Sequence, residues 1–244
     1  MIAPRPQMPV LKITTIYDNR EYDPRLRIGW GFSCLVELGE EKVLFDTGAD
    51  WLVEKFNLDR LGIDPRQIGT IFLSHAHCDH MGGLTGLLKE ARQAKVYLGR
   101  SFPQNIKDAV ARFGVETVEV TGPQKLREGL YSTGELPGLI AEQSLVLRAR
   151  TGLILITGCA HPGIVEIVRA VREQLGEAAQ MILGGLHLGE LPSSEIMEII
   201  TELGNSGVEK VAPCHCSGER ALELFQEAYG KGFIAIGVGK VIEL

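Results

Sequence analysis

Apolar residues along the chain fall first into short runs of strand length. Val10 to Tyr17, Phe32 to Leu38 and Lys42 to Phe45 are rich in Val, Ile, Leu and Phe and are separated by turn residues, which predicts three β-strands. The third run ends in Asp46-Thr47-Gly48. A helical segment, Trp51 to Leu61, precedes a short apolar strand, Thr70 to Leu73. Gly82 to Ala91 and Phe102 to Phe113 read as helices, with Val96 to Leu98 and Thr117 to Val120 as the strands between, and a strand-rich stretch runs from Leu145 to Thr157. From Pro162 the period becomes helical: Ile164, Ile167, Val168 and Val171 recur on one face as a single buried stripe. Two strand and helix units follow, Met181 to Leu183 with Ser194 to Leu203, and Val208 to Ala212 with Glu219 to Tyr229; Phe233 to Val238 and Val241 to Leu244 close the chain as strands. This succession predicts an α/β (α+β) fold in which sheets stack as a sandwich and helices cover the outside. No repeat, low-complexity tract or linker divides it, so residues 1–244 are read as one domain.

Composition narrows the functional classes. Hydrophobic residues make up 45% and charged residues 23%, the balance of a soluble globular protein. A net charge of −6 supplies no basic field for a phosphate backbone, which argues against nucleic acid and for a small-molecule substrate. The longest apolar stretch, Leu145 to Ile156, is broken by Arg148 and Arg150, so no membrane segment is expected. Pro4, Pro6 and Pro9 interrupt the N-terminus, where no signal-peptide core is found. Five cysteines without disulfide-scaffold spacing suit a reducing cytoplasm. Four of them, Cys78, Cys159, Cys214 and Cys216, lie within two residues of a histidine.

All six histidines fall at predicted strand ends beside glycine, cysteine or proline: His75, His77 and His80 with Asp79, then His161, His187 and His215. Randomly scattered histidines would be surface or core residues, and six at loop edges point to a shared site. In an extended segment His75 and His77 project to the same side and can bind one metal ion, while Asp79 and His80 lie beyond the turn and can face a second. Imidazole and carboxylate donors suit zinc, and also iron or manganese.

The run His75-Ala76-His77-Cys78-Asp79-His80-Met81-Gly82-Gly83, preceded by Leu44-Phe45-Asp46-Thr47-Gly48, resembles the signature loop of the metallo-β-lactamase superfamily. Thr157-Gly158-Cys159-Ala160-His161-Pro162-Gly163-Ile164, Gly184-Gly185-Leu186-His187-Leu188 and His215-Cys216-Ser217-Gly218 resemble a branch of it related to dihydropterin ribofuranosyl-aminobenzene phosphate synthase, an enzyme of methanopterin synthesis. The likeness runs from Asp18 to Val238. It implies a four-layer αββα sandwich with two divalent metal ions in a cleft at one edge of the sheets. His75, His77 and a third histidine would hold the first ion; Asp79, His80 and His215 would hold the second. His161 is taken as the third histidine, because neutral imidazole is the commoner ligand. The family's usual spacing departs here, and a strictly positional reading puts Glu135 in that slot and Cys159 in the bridging slot.

Around this core, Asp46 is read as a partner orienting a ligating imidazole. His187 is read either as a substrate-facing acid or hydrogen-bond donor or as a satisfied loop histidine, and Asp79 as a residue that steers a proton as well as ligating. Asp18-Asn19 either lines the cleft or forms a turn. Cys214 and Cys216 are expected to be buried small hydrophobes rather than a structural zinc site. Gly82-Gly83 and Gly184-Gly185 lack nucleotide-loop spacing and mark close backbone approach. The function expected is a dinuclear metal hydrolase of an ester, lactone or phosphoester, or a phosphate-handling lyase or synthase with a phosphorylated, pterin-like substrate. An iron-dependent redox enzyme on the same scaffold and a non-catalytic metal sensor are the alternatives. Oligomeric state is not readable.

Overall fold

A computed structural model describes residues 11–244. Val10 and the proline-rich N-terminal residues before it lie outside the described residues.

The first half of the chain alternates strands with short helices. Its elements are β1 (Leu11–Tyr17), β2 (Ser33–Leu38), β3 (Glu41–Phe45), α1 (Trp51–Arg60), β4 (Thr70–Phe72), α2 (Cys78–Met81), α3 (Leu84–Leu87), β5 (Lys95–Gly99), α4 (Gln104–Ala111) and β6 (Thr117–Val120). The second half comprises β7 (Gln124–Arg127), β8 (Leu130–Ser132), β9 (Leu145–Ala149), β10 (Gly152–Thr157), α5 (Ile164–Leu175), β11 (Ala179–Gly185), α6 (Ser193–Asn205), β12 (Lys210–Cys214), α7 (Glu219–Tyr229) and β13 (Val241–Glu243). Two mixed sheets result, one in the order β13-β1-β2-β3-β4-β5-β6 and the other β12-β11-β10-β9-β8-β7.

Strict alternation along the strands builds the layers. In β10, Ile154 and Ile156 face the space between the sheets, while Leu153 and Leu155 face α5, α6 and α7. In β2 and β3, Cys34, Val36, Val43 and Phe45 point into the same central layer, while Leu35 and Leu44 pack under α1 and α3. Strands buried on both faces carry no polar alternation, which is why they read as continuous apolar runs. The three apolar layers separate helix, sheet, sheet and helix, and the expected αββα sandwich is what forms.

The strand-rich stretch Leu145 to Thr157 is as expected, and resolves into an antiparallel hairpin, β9 and β10, turned at Arg150-Thr151 and Gly152, whose φ is +123°. Several elements differ from the sequence reading. Gly82 to Ala91 is not one continuous helix: only the single turn α3, Leu84–Leu87, falls within it, and α2 ends at Met81 before it begins. A Cβ on Gly82 would lie 2.1 Å from the Ala49 carbonyl oxygen, so this segment is pressed onto the backbone after β3 rather than standing off as a regular helix. Phe233 to Val238 forms no strand; only its ends make isolated bridges, Phe233 to Val211 and Val238 to Glu21, because it crosses from one sheet to the other. The strands β7 and β8 were not expected. β7 is a polar edge strand, Gln124-Lys125-Leu126-Arg127, with no buried residue to give it a hydrophobic signal.

The site follows from strand direction. β10, β11 and β12 run parallel, with Thr157, Gly184 and Pro213 side by side, so the loops carrying Cys159 to His161, His187 and His215 leave the sheet at one level. In the other sheet β3 and β4 are parallel, with Phe45 beside Phe72, and Asp46 and Ser74 emerge together. Crevices at the carboxyl ends of parallel strands are where such folds place ligands.

Candidate metal centre

Among the described residues, four that are not glycine have a left-handed backbone: Asp46 (φ 55°), Ala160 (φ 58°), His187 (φ 54°) and His215 (φ 51°). All four lie in these strand-end loops. A conformation that L-residues avoid, repeated four times in one crevice, is held by the surrounding fold and aims side chains inward.

The Asp46 carboxylate, 0% exposed, organises one wall. Its Oδ1 accepts the Ser74 backbone N–H at 2.7 Å, and its Oδ2 accepts the Ser74 hydroxyl at 2.7 Å and the Nδ1–H of His80 at 2.7 Å. Proton bookkeeping follows. With Nδ1 donating, His80 presents its Nε2 lone pair. The Ser74 hydroxyl, having given its proton to Asp46, accepts from His75 Nδ1 at 2.9 Å, so His75 likewise presents Nε2. On the far side Asn19 donates from Nδ2 to the His215 carbonyl at 3.2 Å, which turns its Oδ1 toward His215 Nδ1 at 3.3 Å and leaves His215 Nε2 free.

These free atoms converge. His80 Nε2 and His215 Nε2 are 3.2 Å apart, and Asp79 Oδ2 lies 3.3 Å from His215 Nε2. His75 Nε2 and His77 Nδ1 are 3.1 Å apart, and the buried His161 Nε2 has no hydrogen-bond partner. The donors of His75, His77 and His161 all lie within 4.8 Å of one another, as do those of Asp79, His80 and His215. Donors around one tetrahedral zinc, with bonds of about 2.1 Å, are about 3.4 Å apart. Lone pairs facing one another at that spacing repel unless a cation or proton lies between them, so the residues present fit divalent ions.

The local electrostatics keep His75 and His161 neutral and the Asp79 carboxyl charged. Burial, reinforced by the neighbouring histidines His80, His161 and His77, holds His75 far below the usual imidazole range, and burial with His187 and His77 beside it pulls His161 down to about 4. Burial pushes the Asp79 carboxyl up, but the close approach of His215 and the neighbouring His80 outweigh it and keep it low. For His80 burial lowers basicity, and the Asp46 hydrogen bond and charge more than restore it.

The structure brings His75, His77, Asp79, His80, His161 and His215 together with Asp46 behind them. Glu135 is kept out of these groups: its carboxylate accepts the Ser101 N–H at 3.0 and 3.1 Å and the Ser101 hydroxyl. His187 stands at the mouth, exposed, its ring 4.6 Å from that of His161, with its basicity raised by a hydrogen bond to Cys216. Asn19 lines the crevice. Cys214 is the buried apolar residue expected, whereas Cys216 faces the site, its thiol drawn down by the neighbouring Cys159 and His187.

Sequence reasoning missed Glu142. Its carboxylate, buried between the sheets, accepts four consecutive backbone N–H groups: Gly158, Cys159 and Ala160 on Oε1 at 2.9, 3.0 and 3.0 Å, and His161 on Oε2 at 2.9 Å. Burial raises its pKa against those four donors. An isolated Glu-Gln pair ahead of a strand carried no signal. Trp30 was missed too; it is 60% exposed, with its ring 5.0 Å from that of His215 at the rim.

The αββα layers and the crevice of converging imidazoles define a metal-centre class of protein. Residues 31–165 match the model of the metallo-beta-lactamase superfamily, more than half of the chain, and the protein belongs to that superfamily. It is 28% identical to the 7,8-dihydropterin-6-methyl-4-(beta-D-ribofuranosyl)-aminobenzene-5'-phosphate synthase of Methanocaldococcus jannaschii, over 87% of this chain and 89% of that protein. The crystal structure of Tm1679, described as a metal-dependent hydrolase of the beta-lactamase superfamily, superposes with a TM-score of 0.82 at 28% identity, covering 96% of this chain and 99% of that one. Human tRNase Z, short form, shares the fold at a TM-score of 0.60 and 16% identity, over 95% and 98% of the two chains. No helix among the described residues is long and apolar enough to cross a membrane.

Proposed function

We propose that this protein is a metal-dependent hydrolase with a dinuclear centre, in which His75, His77 and His161 hold one divalent ion and Asp79, His80 and His215 hold the other. The observation that carries the reading is the convergence of unprotonated imidazole nitrogens and the Asp79 carboxylate, facing one another at 3.1–3.3 Å. Zinc suits these donors best, with iron and manganese as the competing ions. Two such ions, when bound, supply a hydroxide at neutral pH and a Lewis-acid clamp for a developing oxyanion.

The chain's own residues do the rest. Asp46 fixes the tautomer and direction of His80 and, through Ser74, of His75. Asp79 offers Oδ2 to the second ion and keeps its other, charged carboxylate oxygen in the crevice, where it can orient a proton donor. His187, exposed at the mouth and raised in basicity, is placed to donate a proton to a departing oxygen. Substrates in reach of this chemistry are esters, lactones and phosphoesters of small molecules. A phosphorylated, pterin-like compound is favoured among them by the synthase relative and by Trp30, an exposed indole on which a planar ring can stack. Five free thiols, three of them buried, suit a reducing cytoplasm.

The test is metal analysis of the purified protein with a panel of carboxylic esters, lactones and phosphoesters. Close to two ions per chain, with turnover abolished by chelation and restored by zinc, is the expected result. Less than one tight ion per chain after supplementation would remove the reading.

A further inference from the structure

A pocket of about 230 Å³ opens beside the centre, with His161 and His187 on its edge. Its walls are apolar: Ile164 and Val165 at the start of α5, Leu188 and Leu191 on the loop after β11, and Ile199 on α6. Ile164 and Leu188 are buried in the layer under the outer helices, whereas Val165, Leu191 and Ile199 are only half-buried. No lysine or arginine lines the pocket, and its one carboxylate, Glu166, is paired with Arg169 at 2.6 Å. Both loops at its mouth are tied down. Glu142 accepts the N–H groups of Ala160 and His161, Ala160 stands at φ 58°, and the Leu191 N–H is bonded to the Leu188 carbonyl at 3.1 Å.

The rings of the site form a row: Trp30, His215, His80, His75, His161 and His187, each with its centre 4.3–5.0 Å from the next. Trp30 stands at one end and the pocket at the other. A substrate cleaved over the middle of the row thus has one half toward the indole and the other half toward the pocket, where His187 stands beside the departing oxygen. Size limits what enters. A cavity of about 150 Å³ lined by Leu, Ile and Phe holds benzene, whereas sites for whole drug-sized ligands run to about 300–1,000 Å³. This pocket has room for one ring or a short alkyl chain, and an ionised phosphate in it would lose its hydration with no cation to replace it.

We propose that this pocket is the subsite for the departing alcohol of the substrate and that it selects a neutral, apolar group, a single aromatic ring or a short alkyl chain. This rests on the hydrolase reading above. As the bond to the departing oxygen breaks, the acyl or phosphoryl half keeps the oxygen delivered by water, and His187 gives its proton to the departing oxygen. The alcohol then leaves with its apolar group in the pocket.

Benzyl alcohol titrated into the zinc-supplemented full-length protein, with isotope-labelled Ile, Leu and Val methyls, tests the pocket without recourse to activity. Saturable shifts are expected at Ile164, Leu188, Leu191 and Ile199, and inorganic phosphate should leave them unmoved. Leu191→Asp should abolish the shifts at the remaining methyls; Ile199→Phe, which fills the space without a charge, should do the same if the first variant fails to fold. Esters with one shared acyl half and methyl, propyl or butyl alcohols test the assignment to the departing half. Their kcat/KM should rise about fourfold per added CH₂, and Leu191→Asp should flatten the series. A slope that follows the acyl half instead overturns the assignment, and the absence of saturable shifts at the lining methyls overturns the pocket. Shifts without turnover of any ester would keep the apolar subsite and remove the hydrolase reading, together with the departing-half role that rests on it.

Discussion

Replacing Asp46 by asparagine tests how the protons around the centre are arranged. Asparagine has the shape of aspartate and tolerates the left-handed φ of 55° at this position, so the backbone has no reason to move. The hydrogen bonds cannot all survive. If the new amide nitrogen takes the place of Oδ2, it faces the Ser74 hydroxyl and His80 Nδ1, both now donating toward it at 2.7 Å. His80 must then accept at Nδ1 and carry its proton on Nε2, the nitrogen that faces His215. The Ser74 hydroxyl, turned into an acceptor, donates instead to His75 Nδ1 and moves the His75 proton to Nε2 as well. If the amide flips, its nitrogen opposes the Ser74 backbone N–H and leaves that donor buried and unsatisfied, at about 1–3 kcal/mol. In the first case one substitution blocks a donor to each ion. Loss of such an orienting carboxylate typically weakens metal affinity by about 10–100-fold, or about 1.4–2.7 kcal/mol per ion. Competition with a chromophoric chelator measures both affinities, and circular dichroism confirms the fold. A folded Asp46→Asn protein that binds both ions with the parent's affinity would refute the assigned tautomers.

Three further outcomes are expected. His161→Ala should lose one ion by element analysis while Glu135→Ala keeps two; the reverse ranking would return Glu135 to the centre. Asp79→Asn, which keeps size but not charge, should cut turnover by at least about 100-fold with an unchanged circular dichroism spectrum, and near-normal turnover would remove Asp79 from the chemistry. Burial holds His75 and His161 neutral, with His161 down to about 4, below the ordinary 6.5 of both. Unfolded chains therefore bind protons that the native state refuses, so stability is present above pH 6.5 and is lost as pH falls toward about 4. Urea unfolding of the metal-free protein across that range checks it, and a flat midpoint would contradict the assignment.

How much of this was legible in the sequence depends on where the cause of each feature lies. Strands such as β2, β3 and β10 were readable because both faces are buried, and burial leaves an apolar run. The stripe Ile164, Ile167, Val168 and Val171 was readable because α5 buries one face only. β7 escaped because an edge strand of Gln, Lys and Arg is held by backbone pairing, which side chains do not announce. Gly82 to Ala91 was misread as a helix because its glycines answer to the backbone at Thr47 and Ala49, far away in sequence. The histidines were legible as a group through their spacing. Their partners were legible only in part: Asp46 sits in a recognisable strand end, whereas Glu142 acts through bonds to the loop that leaves the neighbouring strand of its own sheet, and Trp30 through a contact made only once the two sheets have closed.

That difference bears on what the fold is for. Four left-handed non-glycine residues in one crevice each oppose local preference by an amount of order 1 kcal/mol or more, and no local sequence signal selects them. Three of them are sustained by bonds made from outside their own loops: Ser74 on Asp46, Glu142 on Ala160, Asn19 on His215. Each of these supports comes from a segment at least 18 residues away in sequence, and Asp46 with Asn19 come from one sheet's connections while Ala160 and His215 come from the other's. Asn19 on His215 joins the two halves of the sandwich, while Ser74 on Asp46 and Glu142 on Ala160 brace each half from within. A crevice built in this way keeps imidazole lone pairs opposed at short range in the folded chain, an arrangement that local structure would never adopt and that bound cations stabilise.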